Sequence, residues 1–364
     1  MRPSLTPDVL AKLRQPRPYP AVSLTMPTHR REPDAAQDPV RLRNLLAEAD
    51  RVLRNDPAVT RERLADVLTQ LDQAVAELDP ARTEDGLVVF AAPGEHQVWT
   101  VARPTPERVV VADTFLTRNL VSAQAAEQPF WALAVAADRV SLWSGDAAGV
   151  SEHTGDGFPL MRSLEDPDAE RKERIGDLPS TFQDEQTRQF LREAHERLLT
   201  VLSSHRRPLY VIGEAAALAL LDEIGPLGQD RMTVQQGGLA HGPADAVRRA
   251  VDPLLTARAA AVVSTVLAEL DTARGRREFA AGLDEAWEAA KAGRVRLLTV
   301  EDGYRAVVRD YGDHLEPAEP SDLDSRDDIV DGIVEQALET GAEVRFVPDG
   351  TLSDMGRIAA VLRY

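Results

Sequence analysis

Pro208-Leu209-Tyr210-Val211-Ile212-Gly213 is an unbroken apolar run with a glycine at its exit, the pattern of a strand buried on both faces. An alanine- and leucine-rich helix follows it. Met232-Thr233-Val234 then reads as a further strand, Gln235-Gln236-Gly237-Gly238 as the turn out of it, and a long helix begins near Pro243. Upstream, Phe190, Leu191, Ala194, Leu198 and Leu202 recur at helical spacing over Asp184–Ser204. Before that, Phe130–Val135 and Val140–Trp143 form a hairpin that turns at Ala137-Asp138-Arg139. Strands alternating with helices in this way predict an α/β layer.

The flanking segments read differently. A proline-rich lead, Pro16-Arg17-Pro18-Tyr19-Pro20, enters the apolar segment Ala21–Met26 and then the polar loop Pro27-Thr28-His29-Arg30-Arg31-Glu32. Asp38-Pro39 has the form of an N-cap with proline at the first helical position. Leu42, Leu45, Leu46, Ala49, Val52 and Leu53 follow on one helical face, and a second helix starts near Thr60. Strands at Leu87–Phe90, Gln97–Val101 and Val109–Val111 complete an α+β unit. Beyond the central layer, Leu283, Ala286 and Ala290 mark one helix and Ile329, Ile333 and Leu338 another. Val295–Val300, Val344–Val347 and Ile358–Leu362 read as strands, and the acidic, proline-bearing Glu316–Asp328 as a surface loop. The expected division is an N-terminal α+β domain (1–127), an α/β middle domain (128–273) and an α/β C-terminal domain (274–364).

The 364 residues carry 60 acidic and 42 basic side chains, a net −18. That balance argues against a nonspecific nucleic-acid binder and leaves room for one local basic patch. There is no cysteine, which removes disulfides, thiolate metal sites and cysteine nucleophiles together. No apolar signal core follows Met1, and the apolar runs near Leu87–Ala92 and Trp131–Ala137 are too short to cross a bilayer. A cytoplasmic protein with neither membrane nor DNA as partner is expected.

Catalytic signatures are missing. There is no Gly-x-Gly-x-x-Gly, no Walker loop, no Gly-x-Ser-x-Gly elbow and no His-Glu-x-x-His. No catalytic residue, metal site or cofactor is expected on this ground. Two segments keep two readings each. Gln235, Gln236, Gly237, Gly238 and His241 form either a ligand loop or, the favoured reading, a strand-to-helix turn. His29, Arg30 and Arg31, with Arg41 and Arg43 beyond, either grip phosphates or belong to a solvated loop and helix face. Arg171-Lys172-Glu173-Arg174 is a mixed-charge run of the kind found in loops.

Gly356-Arg357-Ile358-Ala359-Ala360-Val361-Leu362-Arg363-Tyr364 resembles the closing strand of the archaeo-eukaryotic peptide release factor and Pelota superfamily. That family commonly has Gly-Gly-Ile-Ala-Ala-(Ile/Val)-Leu-Arg-Tyr here, so Arg357 replaces the second glycine. Gly341–Phe346 and Ala289–Leu298 resemble the preceding strand and the entry to the same domain. Val22–Arg30 with Gln37–Leu42 is similar to the bacterial branch, the bacterial archaeo-eukaryotic release-factor-like proteins. The resemblance implies a ribonuclease-H-like middle domain and a C-terminal domain of the kink-turn-RNA-binding type. Release factors carry Gly-Gly-Gln between the first hairpin and the next helix of the middle domain. The corresponding interval, Gly145–Gln183, has none, and the Asn-Ile-Lys-Ser stop-codon motif is also missing.

The resemblance therefore implies a non-catalytic factor in the A site of stalled or idle ribosomes, in rescue or hibernation, without peptide release. Its partners would be the ribosome and, as for its relatives, a translational GTPase. Candidate rRNA contacts are His29, Arg30, Arg31, Arg41 and Arg43, with Arg171, Lys172 and Arg174 on the middle loop. The alternatives are a magnesium-dependent hydrolase or nuclease on a ribonuclease-H-like layer, and an acidic protein–protein adaptor.

Overall fold

The computed structural model of the chain describes residues 6–29, 34–79, 84–126, 129–146, 149–162, 185–228, 230–312, 314–319, 325–326 and 328–364. These fall into two units, Met1–Glu127 with Val263–Tyr364, and Gln128–Val262.

The first unit begins with α1 (Pro7–Leu13), capped by Thr6, whose hydroxyl accepts from Val9 N. The sequence reading did not anticipate it. β1 (Ala21–Pro27), β2 (Gly86–Ala92), β3 (Glu95–Val101) and β4 (Arg108–Ala112) form an antiparallel sheet in the order β3-β2-β1-β4. Leu87, Val89 and Ala91 of β2 face α2 (Asp38–Asn55) and α3 (Arg61–Ala76), meeting Leu45, Leu53 and Leu71. Val88, Phe90 and Ala92 face the other way, toward α1 and α4 (Arg118–Ala126). Burial on both faces is why β2 reads as a continuous apolar run and does not alternate. The polar residues of β1 are buried but satisfied: Ser23 Oγ accepts from Leu116 N at 2.8 Å, and Thr25 Oγ1 donates to Pro106 O at 2.6 Å.

The second unit is built on β5 (Phe130–Val135), β6 (Arg139–Gly145), β7 (Val150–Glu152) and β8 (Leu160–Met161), followed by α5 (Glu185–Ser204), β9 (Leu209–Gly213), α6 (Ala215–Ile224), β10 (Arg231–Gln235) and α7 (Ala244–Arg276). Its sheet runs β10-β9-β5-β6-β7, with β8 pairing β6. β5, β6 and β7 are antiparallel neighbours, whereas β9 and β10 run parallel to β5. An antiparallel meander extended by two parallel strands on the side of its first member is the ribonuclease-H-like arrangement. Every residue of β9 is buried. Leu209 and Val211 pack with Leu191, Leu198 and Leu221 of α5 and α6, and Tyr210 and Ile212 pack with Val247 and Val251 of α7. β7 and β8 lie where the sequence reading placed only a polar segment; they are too short to show alternation.

The helix α7 is long and apolar enough to cross a membrane by length and composition, a run the search for apolar stretches overlooked. Its early turns are anchored in the second unit through Val247 and Val251, its late turns in the first through Val266 and Leu270. The expected domain border at 273/274 falls inside it.

The remaining elements are β11 (Phe279–Ala281), α8 (Leu283–Lys291), β12 (Val295–Glu301), β13 (Val308–Asp310), β14 (Leu315–Pro317), β15 (Ser325–Arg326), α9 (Ile329–Glu339), β16 (Glu343–Val347) and β17 (Ile358–Leu362). The main sheet runs β11-β17-β12-β16, with β12 parallel to β16 and antiparallel to β17. Ala286, Ala290, Ile333 and Val334 of α8 and α9 cover one face, and Val266 and Leu270 of α7 cover the other. Two residues before β17, Gly356 has φ +68°, and a Cβ there would lie 2.9 Å from Gly282 Cα, so only glycine fits. Arg357 has φ +68° as well, a left-handed conformation that glycine adopts more readily.

The predicted surface loop Glu316–Asp328 needs correction at its far end. Glu316 is exposed in β14, but the Asp328 side chain is only 3% exposed, because three arginines surround it.

Candidate RNA-contact residues

The buried strand β1 delivers Thr28 and His29 to the sheet edge. Thr28 is fixed there by its hydroxyl, which donates to Glu84 O at 2.8 Å, and by its N–H, which donates to Asp85 O. The start of α2 then meets His29. Gln37 is the N-cap and makes no side-chain capping bond, so Asp38 does not cap as its sequence context suggested. Its carboxylate accepts from His29 N at 2.7 Å, lies 2.9 Å from His29 Nδ1, and accepts from Arg41 Nη1 at 2.9 Å. Asp38 thus gathers His29 and Arg41 and offsets the arginine's charge. Arg43, two residues on, points about 200° around the helix from Arg41. It is exposed, with no ion pair among the described residues. Arg30 and Arg31 lie outside the described residues, as do Arg171, Lys172 and Arg174. Of the proposed phosphate grip the structure unites His29 and Arg41 and sets Arg43 apart.

The Gln235–His241 segment is a packed turn. Gln236 N donates to Gly213 O at 3.0 Å, binding the exit of β10 to that of β9. Gly238 takes φ +80°. Leu239 and Ala240 are buried, Ala240 O accepts from Ser141 Oγ at 2.8 Å, and His241 Nε2 lies 3.1 Å from Asp138. Gln235, Gln236 and Gly237 remain exposed at its rim.

Sequence reasoning missed a buried ionic cluster in the first unit, where the β4–α4 region meets α9. Arg118 donates through its main-chain N to Asp331 Oδ1 at 3.0 Å, and through its guanidinium to the carbonyls of Tyr304, Glu301 (3.1 Å) and Asp302 (2.9 Å). Arg108 Nη1 donates to Asp328 at 2.9 Å, while Arg118 and Arg305 approach the same oxygen at 3.8 and 3.9 Å. Thr117 Oγ1 donates to Glu335 at 3.0 Å. Burial, reinforced by each carboxylate's neighbours, pushes the Asp331 and Glu335 carboxyls well above the usual carboxylate range. Burial also lowers the Arg118 and Arg305 guanidiniums. The one local signal is the like-charged pair Asp331 and Glu335 four residues apart beside Val330 and Val334, which on a solvated helix would be destabilising.

A further missed pair closes β12 against β17: Arg357 Nε donates to Glu301 at 2.7 Å, and Leu352 N donates to its other oxygen, also at 2.7 Å. In the second unit a cleft of about 900 Å³ at the start of β9 is lined by Arg206 and Arg207 with Leu202, Leu209 and Leu227. Arg207 is held over Trp131 at 4.8 Å and donates to Ser144 Oγ. Among the described residues no three His, Asp or Glu side chains converge as a metal site would require.

The sheet order of the second unit defines a protein with a ribonuclease-H-like α/β layer, and the first unit holds three further sheets. Residues 129–294 match the model of bacterial archaeo-eukaryotic release factor family 3. This middle stretch is thus similar to that release-factor-like bacterial family. Among solved structures it is similar to Archaeoglobus fulgidus Pelota (18% identity, 76% of this chain and 79% of that one, TM-score 0.38). It is also similar to archaeal Pelota in a model of the ribosome-bound protein with ABCE1 (15%, 99% and 94%, TM-score 0.43), and to the archaeal termination factor aRF1 (19%, 99% and 99%, TM-score 0.25). No curated protein sequence matches it.

Proposed function

We propose that this chain is a non-catalytic, cytoplasmic translation factor that occupies the A site of stalled or idle ribosomes, in rescue or hibernation, and releases no peptide. A translational GTPase is its proposed delivery partner, and three domains, bounded near 127/128 and 273/274, its proposed working parts. The reading rests on one observation: a bacterial release-factor family domain whose hairpin-to-helix interval, Gly145–Gln183, lacks Gly-Gly-Gln. The missing motif is the one that release factors carry in that interval, and its absence supports a factor that releases no peptide. Arg43 on α2, with Arg30, Arg31, Arg171, Lys172 and Arg174, would supply phosphate contacts. His29 and Arg41 would join them once Asp38 lets go.

The magnesium-hydrolase alternative needs carboxylates converging at strand ends, and among the described residues no three His, Asp or Glu side chains gather so as to hold a metal ion. Sedimentation of the tagged protein from growing and starved cells tests the proposal. Comigration with 70S particles that rises on starvation, is lost on A-site tRNA occupancy and brings no peptidyl-tRNA hydrolysis is the expected result. A protein that stays at the top of the gradient in every condition, or that releases peptide, overturns it.

A further inference from the structure

One end of the C-terminal sheet collects positive charge in a chain whose net charge is −18. The strand starts of β11 and β12 and the strand end of β17 lie side by side there: Leu362 N donates to Glu278 O, and Arg363 N to Arg294 O, both at 2.8 Å. Arg276 and Arg277 precede β11, Arg294 precedes β12, and Arg363 follows β17. Three neighbouring strand ends span about 10 Å at the usual strand spacing, the axial length of about three nucleotides of one strand.

Two of the charges here are used internally and three are not. Arg363 donates to Thr340 O, and Arg296 is paired with Glu269. Arg276, Arg277 and Arg294 have neither ion pair nor side-chain hydrogen bond among the described residues. Arg276 also lines a cleft of about 330 Å³ with Thr272, Arg296, Glu269 and Glu278, Glu269 being the partner of Arg296. Arg277 carries a second, independent mark. It ends α7 with φ +63°, where Arg277 N bonds to Arg274 O and Glu278 N to Ala273 O, the left-handed closure that glycine ordinarily fills. The helix dipole favours an exposed arginine at that point only weakly, against the cost of the left-handed backbone.

We propose that this edge binds the phosphate backbone of RNA, with Arg276, Arg277 and Arg294 as its contacts. Arginine forks suit phosphate oxygens in bidentate geometry, and here three arginines without ion pairs among the described residues outnumber the one acid set among them, Glu278. The site shares only RNA with the ribosome reading and is tested without ribosomes, so either can fail alone.

The test is fluorescence anisotropy of the full chain with a labelled 20-nucleotide single-stranded RNA, from 50 to 200 mM salt, for wild type and for Arg277→Gly, Arg276→Gln and Arg294→Gln combined. The triple variant is expected to bind at least tenfold more weakly at 50 mM salt, with a log–log salt slope smaller by about 2. Arg277→Gly alone is expected to weaken binding while raising Tm, which a purely structural arginine could not do. Absence of binding by the wild type, equal binding by a correctly melting triple variant, or equal competition by poly-glutamate of matched charge overturns the proposal, the last assigning the edge to an acidic protein.

Discussion

Two groups of arginines in the first unit do opposite things with the same side chain. Around Asp328 and Asp331, Arg108 and Arg118 are drawn into the protein to face carboxylates and main-chain carbonyls, with Arg305 at the exposed rim of the cluster. Along the end of β11 and β12, Arg276 and Arg277 are exposed and Arg294 half-buried, and none of the three makes an ion pair among the described residues. The first group is costly to disturb, because a buried charge deprived of its partner keeps its desolvation penalty. The second is cheap to remove and free to attract. Burial and counter-charge, not residue type, separate a structural arginine from a binding one.

The comparison breaks most sharply at Arg118. Arg118→Ala strips the donors from three carbonyls and leaves Asp328 with less positive charge, so a loss of about 3–5 kcal/mol in urea unfolding is expected; a loss under about 1 kcal/mol would show that the cluster is not a unit. A pH series comes next. Asp331 faces Asp328, Arg118 and Arg108, and Glu335 faces Asp331, Thr117, Arg14 and Glu339. Both carboxyls have raised folded pKa values, so the folded state binds more protons than the unfolded one above about pH 4. Their contribution is fully present below that pH and is lost as pH rises toward and past neutrality. Urea midpoints should therefore fall from pH 5 to pH 8, and Asp331→Asn should flatten the fall.

The two left-handed arginines sharpen the contrast further. Arg357→Gly relieves strain but leaves Glu301, 1% exposed, without its guanidinium, for a net loss of about 1–2 kcal/mol. Arg277→Gly relieves the same strain at no such cost and should gain up to about 1 kcal/mol. Thermal melts that rank the two variants the other way would remove the distinction. Smallest of all, Asp38→Ala should change stability by within about 0.5 kcal/mol, since the cluster it holds is part-exposed, and should free His29 and Arg41 for a ligand.

The middle layer was legible because β5 and β9 are buried on both faces and so appear as apolar runs. β7, β8 and β13 to β15 were not, being two or three residues long, too short for a period to register. The ionic cluster was hidden for another reason: Arg118 and Asp331 are 213 positions apart, and no local pattern links them. At the candidate RNA face the charges could be read but their pairing could not, since Asp38 looked like a helix cap and serves instead as the counter-ion of Arg41. The rest of that face lies outside the described residues.

Gly356 and Gly282 have a consequence for how this chain can vary. A side chain at 356 would strike not another side chain but the Cα of Gly282 at 2.9 Å, and Gly282 N is itself bonded to the carbonyls of Met355 and Ile358. No second substitution can make room, because what stands in the way is backbone. The two positions behave as one locus: a library randomised at both should return glycine at 356 whatever is offered at 282, and any lineage that loses it must rebuild the turn that enters β17 to keep the strand.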